Sequence, residues 1–212
     1  MKAAERIPTD NELVVAWRAG DELAGQALFE RHYDPVHRFF RNKVPEPSEL
    51  VQRTFLACLE TAERFSEGRD FRRYLLGIAR NVLYTHYRRV HGPRNHAPLD
   101  ATSVEDMGQN PAQLIEEREE ERLMLASLRR LPVDLQLALE LQYWEKMTAR
   151  EIGEVLGVPV GTAKDRLRRA KLRLEQEIRA LATSPKKLES TLTLLDDWAA
   201  GLRRQLGHRV SA

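Results

Sequence analysis

From Asp10 to Val90 the apolar residues recur at steps of three and four, with polar or Gly/Pro punctuation between them, and no stretch alternates as a strand would. The pattern predicts a helical bundle. A short helix carries Leu13, Val14 and Trp17. After Gly20-Asp21 a longer one runs through Ala27, Leu28, Val36, Phe39 and Phe40, bent at Pro35. Pro45-Glu46-Pro47 forces a new start, and the next helix places Val51, Phe55, Cys58, Leu59 and Ala62 on one face. A loop around Ser66-Glu67-Gly68 leads to a fourth helix with Phe71, Leu75, Ile78, Ala79 and Val82, so four helices share one core.

Between Gly92 and Gln113 the periodicity fades into Gly-Pro, Ala-Pro, Thr-Ser and Asn-Pro, as expected of a linker rather than a packed element. A smaller helical unit follows to Leu181. Beyond Ser184-Pro185, Leu188, Leu192, Leu195, Ala199, Leu202 and Leu206 give a continuous apolar stripe to a C-terminal amphipathic helix. The expected architecture is all-α: a four-helix domain over 1–92, a linker over 93–115, a second helical domain over 116–182 and an extension over 183–212. Packing of the extension on the second domain is the default. An autoinhibitory brace, a regulator site and a dimer contact are the alternatives, and the sequence does not rank them.

Composition adds little until the charges are located. With 42% apolar and 31% charged residues the 212-residue chain is globular, and its formal charge of +2 hides a strong segregation. From Phe71 to Leu99 there is no acid, while Arg72, Arg73, Arg80, Arg88, Arg89 and Arg94 all fall there. At about 100° per residue, Arg73, Arg80, Tyr84 and Tyr87 project opposite the apolar face. Rings beside cations suit single-stranded nucleic acid, since unpaired bases stack on them while phosphates pair with the arginines. A plain solvated face is the competing reading, and the total absence of acids favours nucleic acid.

The following span reverses sign, with Asp100, Glu105, Asp106, Glu116, Glu117, Glu119, Glu120 and Glu121 against Arg118 alone. It reads either as an acidic strap that competes for a cationic channel or as a linker kept extended by self-repulsion. Cys58 has no partner for an internal disulfide. The start MKAAERIPTDNE lacks a signal peptide's apolar stretch, and no apolar run approaches the roughly 18 residues of a bilayer span. A cytoplasmic protein without membrane attachment is expected.

The sharpest local signal runs from Thr148 to Ala170. Thr148 and Glu151 are spaced as a capping box, Ile152 and Leu156 form an apolar face, and Gly157 supplies a turn before a helix that starts near Pro159. This is a helix-turn-helix. On its second helix Ala163, Leu167, Ala170, Leu174 and Ile178 face inward, and Thr162, Asp165, Arg166, Arg168 and Arg169 face out, as a major-groove reader requires.

Leu50-Val-Gln-Arg-Thr-Phe-Leu, Phe71-Arg-Arg-Tyr-Leu-Leu-Gly-Ile-Ala-Arg-Asn, Tyr87-Arg-Arg, Leu128-Arg-Arg-Leu-Pro and the helix-turn-helix together resemble the extracytoplasmic-function (ECF) sigma factors, over roughly Asp10 to Leu181. The resemblance implies a first domain that melts and reads the minus-ten element through Arg73, Arg80, Asn81, Tyr84, Tyr87 and Arg88, with a flipped base held by the loop Phe65 to Asp70. It implies a second domain that reads the minus-thirty-five element through Thr162, Lys164, Asp165, Arg166, Arg168 and Arg169. The partners implied are promoter DNA and the clamp and flap of core RNA polymerase, with the acidic linker threading toward the polymerase channel. No cofactor and no metal are implied, and polymerase performs the chemistry.

Family members carry an acidic cluster around the Leu-Val-Gln helix that docks on the clamp. Here Ser48 and Arg53 stand where acids are usual, leaving Glu49, Gln52 and Arg53 as the polymerase-facing residues. Glu49 and Arg53 are four apart, so the arginine neutralises the remaining acid. Phosphorylation of Ser48 or Thr54 by a Ser/Thr kinase would restore the charge, Thr54 being the less accessible. Drift of the cluster with compensation elsewhere is the competing reading. An anti-sigma factor is the other regulator implied.

The alternative function is a helix-turn-helix regulator acting without polymerase, which leaves the first domain unexplained. An enzyme is disfavoured. His32, His37, His86, His91, His96 and His208 form no metal-binding pair of the HExxH kind, and no glycine-rich phosphate loop or nucleophile elbow appears.

Overall fold

The computed structural model describes residues 6–65, 69–91, 102–108 and 119–182. Among these the regular secondary structure is helical, apart from one isolated bridge. The first half contains α1 (Asp10–Arg18), α2 (Glu22–Arg41), α3 (Pro47–Glu60), a 3₁₀ turn (Ala62–Arg64) and α4 (Phe71–His91). The second contains α5 (Glu119–Arg129), α6 (Val133–Tyr143), α7 (Ala149–Leu156) and α8 (Val160–Leu181).

Local chemistry sets these boundaries. Thr9 and Glu12 close a capping box at α1, Asp21 accepts from the Ala24 N–H at α2, and Pro47 opens α3 where its missing N–H costs nothing. Pro35 lies inside α2. Leu13, Val14, Leu28, Val36, Phe40, Leu50, Val51, Cys58, Phe71, Leu75, Leu76 and Leu83 form the first core. Leu59 departs from the expected apolar face and is exposed, because α3 has already turned past its neighbours there. Burial pushes the Cys58 thiol up to about 12. A thiol-reactive dye at about pH 8 is therefore expected to leave native Cys58 unlabelled and to react once denaturant is added. Rapid labelling of the native chain would mean that this core opens.

The two halves are not separate. α4 packs along α7, and the buried residues of both halves form one continuous cluster. Gly77 makes the approach close: a Cβ there would lie 3.8 Å from the Val155 carbonyl oxygen. At the centre sits α6, whose residues from Val133 to Leu141 are all buried. A helix without a solvent face must satisfy its polar groups internally, and Asp134, Gln136 and Glu140 each find partners described below.

Part of the span expected to be unpacked linker is packed. Ser103 bridges to Pro132, the Glu105 N–H donates to the Arg129 carbonyl at 3.1 Å, and Val104 is fully buried. Ser103 and Asp106 form a cap-like turn, and Glu105 pairs with Arg130 at 2.8 Å. The physical reason is Val104 and Met107, two apolar side chains too isolated to show periodicity yet sufficient to anchor seven residues on the second half. The extension over 183–212 and residues 66–68 of the loop expected to hold a base lie outside the described residues.

Candidate nucleic-acid interface

The helix-turn-helix forms as its spacing requires. Thr148 caps α7, accepting from the Glu151 N–H while the Glu151 carboxylate accepts from the Thr148 N–H at 2.8 Å. That backbone bond, with the Thr148 hydroxyl, holds the Glu151 carboxyl below the usual carboxylate range. Gly157 ends α7 at φ 63°, a left-handed conformation that glycine adopts without strain. α8 begins directly after Pro159. Ala163, Leu167, Ala170, Leu174 and Ile178 are buried, whereas Thr162, Lys164, Asp165, Arg168 and Arg169 are exposed.

Arg166 departs from the outward set. Its side chain is 16% exposed and its guanidinium lies 2.5 Å from an oxygen of Asp134. The buried acid at the start of α6 draws it off the outer face of α8.

The arginine face of α4 is covered rather than open. Arg73 reaches Glu151 at 3.2 Å and Glu154 at 3.3 Å on α7, and Asp70 at 3.8 Å on its own side. The Arg80 guanidinium lies 5.0 Å from the Tyr84 ring centroid and against Gly157. The Tyr84 hydroxyl donates to Asp134, and burial beside that carboxylate pushes its pKa well up. Asn81 and Arg88 remain exposed.

Tyr87 is not on this strip at all. It is 1% exposed, and its hydroxyl donates to the Lys43 carbonyl at 3.0 Å within the first core. The α4 helix turns the ring toward Lys43, just beyond α2, so Tyr87 leaves the basic face. Beside the covered strip a cleft of about 610 Å³ is lined by Arg69, Asp70, Arg73, Tyr74, Gly77, Asn81 and α7 residues Glu154 and Val155.

On α3, Ser48, Glu49 and Gln52 are exposed, and Arg53 pairs with Glu49 at 2.6 Å. Arg89 approaches the same carboxylate at 4.0 Å. Thr54 is fully buried and its hydroxyl donates to the Leu50 carbonyl at 2.7 Å.

Sequence reasoning missed the charges that join the halves. Lys43, fully buried after α2, meets Glu140 of α6, and Gln136 donates to the other oxygen of Glu140 at 2.8 Å. Glu145 accepts from Arg38 at 3.0 Å and pairs with Arg72. The signal available was α6 itself, VDLQLALELQY, whose polar residues share no single face. A helix written that way buries charge, and buried charge requires partners elsewhere.

An arginine helix free of acids and a helix-turn-helix with a cationic outer face are the features of a DNA-binding protein. The sequence profile of Sigma-70 region 2 matches residues 28–92, and that of Sigma-70, region 4 matches residues 121–174. The chain belongs to the ECF sigma factors, which are transcription initiation factors.

It is 28% identical over 193 residues to the ECF RNA polymerase sigma-E factor of Haemophilus influenzae, across 84% of this chain and 99% of that one. The sigma-E factor of Escherichia coli K12 is 26% identical over 184 residues, across 82% and 96% respectively. Two solved structures share the fold. CnrH in complex with the cytosolic domain of CnrY aligns with TM-score 0.61 and 24% identity over 82% of this chain and 99% of CnrH. The sigma factor RpoE in complex with the anti-sigma factor NepR from Bartonella quintana aligns with TM-score 0.56 and 19% identity, over 74% and 98%.

Among the described residues no helix is long and apolar enough to cross a membrane.

Proposed function

We propose that this chain recruits core RNA polymerase to specific promoters from the cytoplasm. Residues 1–92 engage the polymerase clamp and the minus-ten element, 93–115 connect, and 116–182 engage the flap and the minus-thirty-five element. The observation that carries this reading is the ordered pair of sigma profiles in one chain, with Thr162, Lys164, Asp165, Arg168 and Arg169 presented on one face of α8. Arg73, Arg80, Asn81, Tyr84 and Arg88 serve the minus-ten strand. Arg166 joins the duplex reader once released from Asp134. The cleft beside Arg69 and Asp70 suits an unstacked base. The fold shared with RpoE, solved in complex with the anti-sigma factor NepR, supports an anti-sigma factor as a regulatory partner.

Docking on the clamp is weak in the unmodified chain, since Arg53 neutralises Glu49. A kinase acting on Ser48 restores the charge. That hydroxyl is exposed in the first turn of α3, where the helix dipole favours an anion and a phosphate adds about −1.5 to −2 charge. Thr54 is withdrawn as a candidate because a phosphate cannot be built into the core.

The test is the affinity of the full chain for core RNA polymerase, measured beside Ser48→Glu and Ser48→Ala. Ser48→Glu is expected to bind about tenfold more tightly, a gain of about 1.4 kcal/mol, with Ser48→Ala equal to the parent. Equal, tight binding by all three would remove the phosphorylation gate and leave an ordinary sigma factor. Binding by none would favour a helix-turn-helix regulator that works without polymerase.

A further inference from the structure

A groove of about 510 Å³ runs along the second half, between the turn that joins α5 to α6 and the outer side of α8. Pro132 and Leu135 line it beside Leu172, which is 53% exposed although it sits within α8. Arg130, Arg169 and Arg173 give the groove a cationic rim. Arg169 and Arg173 pair with acids of their own helix, at 3.5 and 2.9 Å, and such exposed pairs are weak enough to be shared with another carboxylate.

Arg169, Leu172, Arg173 and Gln176 stand at i, i+3, i+4 and i+7, so they form one stripe directed toward the end of α8 at Leu181. There the chain leaves the helix. Ala182 is extended, at φ −65° and ψ 125°, and Pro185 follows where a helix could not continue. Next comes the segment 183–212, whose apolar stripe through Leu188, Leu192, Leu195 and Ala199 needs a surface to cover it.

A connection of a few residues favours an antiparallel return along the preceding helix. Both helices rise about 1.5 Å per residue, so a return that brings Leu188 abreast of residue 178 brings Leu192 and Leu195 to either side of Leu172. Glu189 and Asp196 lie seven apart on one flank of that stripe, and the same register carries Asp196 to the rim at Arg169 and Arg173. Length, apolar spacing and charge therefore agree on one occupant.

We propose that this groove is the seat of the chain's own segment 183–212, which returns antiparallel along α8 and buries Leu172 between Leu192 and Leu195. The second half thereby gains a fifth helix. Ser103 and Asp106 also line the groove, so the seated segment staples the packed span 102–108 to α8. The seat is independent of any role in promoter binding.

In the full chain, Leu172→Cys is combined in turn with Leu192→Cys, Leu195→Cys and Thr193→Cys, and each protein is oxidised in dilute solution. Cys58 is fully buried and stays out of the exchange. A disulfide requires Cβ atoms roughly 3.5–4.5 Å apart, so the 192 or the 195 combination is expected to close within one chain about tenfold faster than the 193 combination. On a helix, residue 193 points away from the stripe. Circular dichroism melts of the reduced proteins, matching the parent, show that the fold is kept.

Equal closure by all three would mean that the segment is not seated, and closure by none would place it elsewhere. Disulfides formed only between chains would give the groove to a second copy. Each of these results overturns the proposal.

Discussion

Glu140→Ala is expected to destabilise the closed fold by about 3–5 kcal/mol, the largest effect of any single side-chain truncation considered. Lys43 is fully buried, with its ammonium donating to Glu140 and, at 2.5 Å, to the Phe39 carbonyl. It also lies 5.0 Å from the Phe39 ring centroid and 5.9 Å from that of Trp144. Desolvation pushes Lys43 below the usual lysine range and Glu140 above the usual carboxylate range, opposed by their mutual attraction and, at Glu140, by the Gln136 amide.

Truncating the acid leaves a cation among rings and one carbonyl, and the chain then either releases the ammonium or parts its halves to hydrate it. Lys43→Met alone is expected to cost a similar amount, because it strands Glu140 with Gln136 as its remaining donor. The double variant Lys43→Met with Glu140→Leu removes both charges and fills the space. It is expected to return to within about 1–2 kcal/mol of the parent, since buried ion pairs seldom outperform apolar replacements of similar volume. Urea unfolding of the four proteins gives the cycle. Additive losses would show that the pair is not coupled and that α6 is held by packing alone.

Much of this fold is legible in the sequence because one rule, apolar recurrence at helical spacing, writes most of it. Leu13 with Val14, Phe71 with Leu75, and Ala163 through Ile178 each mark a buried face, and the Thr148–Glu151 box marks a helix start. Where periodicity is not the deciding force, the reading slips. Val104 and Met107 anchor a segment too short to have a period.

Tyr87 lies within one helical turn of Tyr84, yet the first ring enters the core and the second meets Asp134 of α6. A helical wheel places a residue on an arc but does not say which neighbour covers that arc. The arginines of α4 look solvated in sequence for the same reason. Arg72 and Arg73 find acids at Glu145, Glu151 and Glu154, so only the meeting of the two halves reveals them. The capping box, the turn glycine and the buried face of α8 were legible one by one, and the pairing of charges between the halves was not.

Gly153→Ala is expected to cost about 1–3 kcal/mol and to loosen the helix-turn-helix, although alanine is the better helix former. An added Cβ at Gly153 would stand 2.8 Å from the Val158 carbonyl oxygen, with the Val160 backbone 3.7 Å away. The obstacle is backbone, so no side-chain rotation relieves it. The Val158 N–H meanwhile donates to the Gly153 carbonyl at 2.9 Å, which pins the turn against the helix that a methyl would push away. Opening the turn rotates α8 relative to α7 and displaces Thr162, Arg168 and Arg169, the residues proposed to meet a duplex.

Gly161→Ala supplies the contrast, because nothing lies within 4 Å of its Cβ position and its backbone is already helical. It is expected to be neutral or to stabilise by up to about 1 kcal/mol. Thermal unfolding followed by circular dichroism reads both variants in the full chain. If Gly153→Ala melts with the parent, the turn has slack, and the smallness of residue 153 does not hold α8 against α7.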